Sequence, residues 1–331
     1  MSAAEHGSTG PDLNIDFPTY LEAKFALDSA SLNAALYERF CALLLEKTDP
    51  RVLDLGTGSG AMLRRILKLP LRGEVRLSGL DQEEENLAAG LGGLERALTA
   101  GGYERQKSVP AAAERGMRPP LRARKQGTSV QIELIRADLL ADRLIGRLGS
   151  RDCITAHAFM DLLPLKPALR VIRSLLTPEG IFYATLNYDG QTVLLPEYEN
   201  PGVERWLLQN YNRSMERRRR RGRKTGGAQS GRRLYQALVE EDFRILGAGS
   251  SDWNLFPASG RYTGAEQLFL GAVLSMIARE GLEARGEGRA ATGSREIGRR
   301  PVIDWHRDRL QDVRRGRLCL IVHQLDVLAC P

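Results

Sequence analysis

From Tyr20 to Glu46 the apolar positions Leu21, Phe25, Leu32, Leu36, Phe40, Leu43 and Leu44 recur at helical spacing. That pattern predicts one or two helices ending before Thr48-Asp49-Pro50. The next segment, RVLDLGTGSG, breaks a short apolar run on glycines, as a buried strand does when it enters a tight turn. AMLRRILKL predicts a helix that stops at Pro70, VRLSGLD a second strand closing on Asp81, and EENLAAGLGGLERALTAGG its helix. Residues 103–129 mix Pro, Gly and charge with no apolar period, and a disordered insertion is expected there. Strands resume at VQIELIRAD and DCITAHAFM; PALRVIRSLL is a helix, TPEG a turn and IFYATLNYD another strand. This β-α-β-α-β-β-α-β order with short joins predicts a mostly parallel sheet with helices on both faces. Further on, RRLYQALVEEDF and YTGAEQLFLGAVLSMIAREG read as helices, and FRILGAGSSDW and RLCLIVHQLDVLA as strands. The first dozen residues are a loose tail, and residues 283–300 a Gly/Arg-rich break.

Composition narrows the class. The 331 residues are 42% apolar and 27% charged, close to the globular average and long enough to bury a core. The net charge is +7, but residues 104–125 alone carry +5 and residues 213–233 carry +9, so the remainder is −7. A uniformly basic protein that coats nucleic acid is excluded. The four cysteines form no CxxC pair, which leaves zinc and a disulfide framework unsupported. With no basic leader before an apolar run and no apolar stretch of membrane-spanning length, a cytoplasmic protein is expected.

The glycine turn Gly56-Thr57-Gly58-Ser59-Gly60 carries the most chemistry. Gly56, Gly58 and Ala61 match a dinucleotide fingerprint, with Asp81 at a distance suited to a ribose hydroxyl. Against that stands Asp54, two residues before the first glycine, because a carboxylate there repels a pyrophosphate and attracts a cationic ligand.

With these residues in place, the sequence resembles the class I S-adenosylmethionine-dependent methyltransferases over about residues 50–190. DLGTGSG is similar to their first motif, and Asp81 after VRLSGL to the acid that holds the ribose hydroxyls. Asp138 in IRADLL is similar to the acid beside the adenine amine, while DCITAHAFMDLL and LTPEGIFYAT resemble the fourth and fifth strands. The resemblance implies a Rossmann-like, seven-stranded sheet whose last strand is antiparallel, with a helical lid over residues 1–48. A methyltransferase domain over residues 49–331 would carry cover insertions at 191–233 and 254–308. It also implies S-adenosylmethionine as cofactor, held by Asp54, Gly56, Thr57, Gly58, Gly60, Asp81, Gln82, Asp138, Leu139 and His157. No metal is implied.

Ligands of open α/β sheets bind beyond the C-terminal strand ends, where His157 and Asp161 would stand. His157 is a candidate general base, or simply packs against the cofactor. Asn187, Tyr188 and Asp189 end the fifth strand and could contact the acceptor; Tyr20 and Lys24 would do so from the lid, although a solvated Lys24 is the plainer expectation. Trp253 reads as a packing residue and His323 as a core histidine. The fourth strand lacks a DPPY-like tetrapeptide and a Pro-Cys nucleophile, which disfavours adenine amino and cytosine C5 methylation. A small-molecule acceptor is favoured. The alternatives are RNA, through Arg217–Arg221, Arg223 and Lys224, or a non-catalytic cofactor-binding module; a solvated charged loop is the plain account of that run.

Overall fold

Two helices, α1 (Phe17–Ser31) and α2 (Ala34–Leu45), open the described part of the chain. The computed structural model describes residues 16–106, 119–141, 146, 148–286 and 297–331. The expected tail, and the centres of the breaks at 103–129 and 283–300, lie outside those residues. Asn33 caps α2 by accepting from the Leu36 N–H. The elements that follow are β1 (Arg51–Leu55), α3 (Ala61–Ile66), β2 (Glu74–Asp81), α4 (Glu84–Ala100), β3 (Glu104–Gln106), β4 (Leu121–Lys125) and β5 (Thr128–Arg136). Next come β6 (Arg151–His157), α5 (Leu165–Leu175), β7 (Leu176–Leu195), α6 (Pro201–Arg217), β8 (Arg219–Arg220), β9 (Arg223–Lys224) and α7 (Ser230–Glu240). The chain closes with β10 (Arg244–Ser250), β11 (Trp253–Leu255), α8 (Gly264–Gly286), α9 (Arg299–Arg314) and β12 (Cys319–Cys330).

The main sheet runs β10-β12-β7-β6-β1-β2-β5-β4-β3, with β11 on β12. β5, β2, β1, β6 and β7 pair in parallel, while β12 is antiparallel to β10. Strand order reverses between β1 and β6, so the ligand crevice of such a sheet opens at their C-terminal ends. One sheet face is covered by α5 and α7, through Leu169, Ile172, Leu234 and Leu238. The other is covered by α2, α3 and α4, through Phe40, Leu44, Leu63 and Leu94. This is the Rossmann-like α/β architecture that the strand order predicts, with more strands than the seven expected.

Several expectations need correcting. The ends of residues 103–129 are strands, not disorder: β3 pairs with β4 and β4 with β5, both antiparallel. Gln126 and Gly127, at φ +42° and +83°, both take the left-handed backbone that a two-residue hairpin turn requires. The arginine run is no open loop either. Arg219–Arg220 pairs with Arg223–Lys224 across Arg221 and Gly222, again both at positive φ. α3 ends at Ile66, short of the helix that AMLRRILKL suggests.

The described residues group into two compact units. One compact unit takes the described residues within Met1–Lys24, Thr192–Ser214 and Leu255–Leu320; the other takes Phe25–Gln191, Met215–Asn254 and Ile321–Pro331. In the sheet unit, buried Asp326 explains why α2 belongs there. It accepts from the Asn33 N–H at 2.9 Å and from the Leu186 N–H at 2.8 Å, joining the α2 cap to two strands. The other unit centres on Glu204, whose Oε2 accepts from Trp305 Nε1 at 2.8 Å and from Arg309 Nη2 at 2.6 Å. Among the described residues no helix is long and apolar enough to cross a membrane.

Candidate active site

The C-terminal ends of β1, β2, β5 and β6 each present a carboxylate or a histidine. Asp54 lies in β1, almost fully buried, and accepts from Thr57 Oγ1 at 2.7 Å and Thr155 Oγ1 at 2.6 Å. Burial raises its pKa to about 6, since two hydroxyls solvate the anion less well than water. Above it the turn folds back. Gly58 N–H donates to Asp81 Oδ2 at 2.9 Å, and Asp81 Oδ1 accepts from the Glu83 N–H at 2.9 Å. Gly56 has φ +60°, and a Cβ there would lie 2.1 Å from the Phe159 ring. Only glycine fits, because an aromatic side chain packs directly on the turn. Gln82 offers its carbonyl to Arg136 Nε at 3.1 Å.

At the end of β5, Asp138 Oδ1 accepts from the Leu140 N–H at 2.9 Å and pairs with Arg220 Nη2 at 2.8 Å; Oδ2 lies 3.6 Å from Arg221 Nε. Burial alone would raise this carboxyl, but the Leu140 amide and Arg220 bring it below its ordinary value. Leu139 is buried in the core. Asp161, in a short 3-10 turn after β6, pairs with Arg218 at 3.2 Å. Arginines of the β8–β9 hairpin thus reach the strand-end carboxylates, which sequence reasoning missed.

His157, the last residue of β6, has both ring nitrogens engaged. Nδ1 lies 2.7 Å from Thr185 Oγ1, and Nε2 lies 3.1 Å from Asp28 Oδ2 and 3.5 Å from Arg65 Nη1. Asp28 Oδ1 accepts from Trp253 Nε1 at 3.1 Å. Trp253 therefore does more than pack. Ala158 and Leu186, which follow His157 and Thr185, hold left-handed backbone at φ +50° and +53°, and such strain concentrates at functional sites.

The remaining candidates divide. Asn187 is buried and donates from Nδ2 to the Leu325 carbonyl at 2.9 Å, while its Oδ1 has no hydrogen-bond partner. The Tyr188 carbonyl accepts from Ser230 Oγ at 3.0 Å. Asp189 forms a forked pair with Arg232, whose Nη2 is 2.7 Å away. His323 is half-buried rather than a core residue, with Nδ1 2.9 Å from Asp252 Oδ1. Tyr20 and Lys24 belong to the other unit. Tyr20 stacks on Phe269 there, and Lys24 is buried with Nζ 5.7 Å from the Tyr20 ring centroid, not solvated.

No protein-family model and no curated protein matches the sequence. Among solved structures, the chain is similar to a SAM-dependent methyltransferase from Geobacter sulfurreducens in complex with S-adenosylhomocysteine. Identity is 13%, coverage 94% of this chain and 98% of that one, and TM-score 0.42. A SAM-dependent methyltransferase from Thiobacillus denitrificans, also in complex with S-adenosylhomocysteine, gives 13% identity, 93% and 98% coverage and TM-score 0.41. The [4+2]-cyclase SpnF gives 15%, 88% and 80%, and TM-score 0.39. All three TM-scores are below 0.5, so the fold rests on the sheet order and the chemistry on the residues of this site.

Proposed function

We propose that the chain transfers a methyl group from S-adenosylmethionine to a small-molecule acceptor. The observation that carries this is the donation of Gly58 N–H to Asp81 directly above buried Asp54. A phosphate-binding glycine turn points its N–H groups at the anion. Here one of them is taken by a carboxylate and a second carboxylate lies beneath, so a pyrophosphate is repelled and a cationic ligand welcomed. The donor set therefore fits a sulfonium-bearing amino acid joined to a nucleoside, and disfavours a dinucleotide.

When bound, that cofactor supplies an electrophilic methyl group whose transfer needs orientation more than acid–base help. Asp54 and the Gly56–Gly60 turn would face its charged amino-acid end, and Asp81 would accept from its ribose hydroxyls. Asp138 would meet the adenine amine beside Arg221, the more loosely held of its two arginines. His157, fixed by Asp28 and Thr185, would position the strand end rather than shuttle a proton. Asn187 Oδ1, a buried acceptor without a partner, suits a donor on the incoming acceptor.

RNA is the weaker reading, because Arg218 and Arg220 already neutralise Asp161 and Asp138 and are less available for phosphates. Calorimetry with S-adenosylmethionine and S-adenosylhomocysteine on the wild type and Asp54→Ala tests the cofactor. Absence of binding to the wild type sinks the reading. Radiolabelled methyl transfer into cell extract tests the acceptor: label is expected in the small-molecule fraction, and label in RNA would overturn that choice. Binding with no label in any fraction would favour the non-catalytic module.

A further inference from the structure

A cavity of about 490 Å³ opens between α5, α7 and the β9 side of the arginine hairpin. Its lining carries Lys166, Arg170, Arg223, Lys224 and Arg233 against a single carboxylate, Glu240. Three of these cations are compensated. Lys166 Nζ lies 2.8 Å from Glu240, Arg170 holds Glu241 at 2.8 and 3.0 Å, and Arg233 holds Glu216 at 2.8 and 3.0 Å. Among the described residues no carboxylate pairs with Arg223 or Lys224.

The hairpin itself makes that imbalance costly. Its register sets Arg219 opposite Lys224 and Arg220 opposite Arg223, and like charges directly across two strands repel. On β8 the repulsion is relieved. Arg220 turns to Asp138, and Arg219 Nη1 donates to the carbonyls of Glu216, Arg217 and Arg218, each at 3.0 Å. On β9 it is not. The backbone that carries the two cations is fastened at the hairpin base: Gly226 N–H donates to the Leu163 carbonyl at 2.9 Å and Gly227 N–H to the Asp161 carbonyl at 3.2 Å. Two adjacent uncompensated cations, held on a fixed wall of a concave site, form a receptor for a multiply charged anion.

We propose that this cavity binds the phosphate group of a small phosphorylated molecule, with Arg223 and Lys224 as the neutralising pair. The volume falls in the range of small-molecule sites, roughly 300–1,000 Å³. An extended nucleic-acid strand would draw on the whole run of seven cations, and four of them, Arg218 to Arg221, are turned to carboxylates and carbonyls. The inference does not rest on methyl transfer and stands or falls apart from it.

Calorimetric titration of the full chain with inorganic pyrophosphate at low salt tests it. One saturable site is expected, weakened about tenfold or more in Arg223→Gln/Lys224→Gln, with a melting temperature that does not fall, because both residues are exposed and their replacement relieves the cross-strand repulsion. Pyrophosphate should also protect Lys166 and Lys224 from amine acylation read by mass spectrometry, while other exposed lysines label as before. Equal affinity in the double variant, binding that never saturates, or labelling unaffected by pyrophosphate would overturn the proposal. So would labelled poly-uridine RNA that binds far more tightly than pyrophosphate and loses that affinity in the same variant, since the site would then be a nucleic-acid surface.

Discussion

Asp54 and Asp138 both stand at the C-terminal ends of parallel strands of one mixed sheet, yet their surroundings push them in opposite directions. Asp54 is sealed among neutral hydroxyls and its pKa rises to about 6. Asp138 keeps some exposure, meets an amide and two arginines, and falls below the ordinary value. The difference lies in what each carboxylate still lacks. Asp54 has hydrogen bonds and feels the charge of Arg65, but burial outweighs both, so its environment improves when a further cation arrives. Asp138 has its countercharge already, supplied by the chain, so a neutral amine gains less there. One end of the crevice is set up to attract, and the other is already closed by the protein's own residues.

The largest expected effect is on Asp54. Asp54→Asn keeps the shape, its Oδ1 still accepting from one threonine while its Nδ2 donates to the hydroxyl oxygen of the other, but it should weaken S-adenosylhomocysteine about 100-fold by calorimetry, or about 3 kcal/mol. The same variant should be more stable than the wild type without ligand. A carboxyl whose folded pKa is raised contributes its stability below the unfolded value near 4 and loses it as pH rises through about 6. The asparagine variant should therefore gain up to roughly 3 kcal/mol relative to wild type between pH 4 and pH 8, measured by urea melts. Equal pH dependence of the two proteins would break the contrast at its first member.

A second expectation follows from the same carboxyl with the ligand present. Cofactor affinity should fall toward tenfold per unit as pH drops below about 6, where Asp54 takes up a proton. The third concerns the other end. Asp138→Asn should release the tip of the arginine hairpin and raise tryptic cleavage between Arg217 and Lys224 several-fold, with cofactor affinity changed less than in Asp54→Asn. Smallest is the effect of salt. Raising sodium chloride to about 0.5 M should speed that cleavage modestly in the wild type and hardly at all in Asp138→Asn, because partly exposed pairs are screened.

The Asp54 end was legible in the sequence because everything needed for it is local. A buried strand, a glycine turn and a second strand ending in Asp81 lie within about thirty residues, and periodicity reads them directly. Asp138 itself was read by resemblance, but its pairing was not legible, because its partners come from the far side of the chain and a run of arginines looks the same whether solvated or paired. The Asp28–Trp253 contact likewise joins residues 225 positions apart, and no pattern announces it. The β4–β5 hairpin is a different failure. Its Gln-Gly turn between alternating runs was visible, but the surrounding Pro and Arg content outweighed it.

The two ends of the sheet show what that hairpin does for the molecule beyond the crevice. An open sheet exposes unpaired peptide groups along each outermost strand, which invite another chain to add itself. On one side the added strands move that boundary outward to β3, three exposed residues with Glu104 and Arg105 among them, too short and too charged to template growth. On the other, α2 lies along β10: Asn33 Nδ2 donates to the Ser250 carbonyl at 3.0 Å and Arg39 to the Leu246 carbonyl. Gly247 and Gly249 leave the helix room to do so, since a Cβ at either would lie 2.5 Å from a side chain of α2 or its cap. A segment that reads as filler is thus half of a guard against polymerisation.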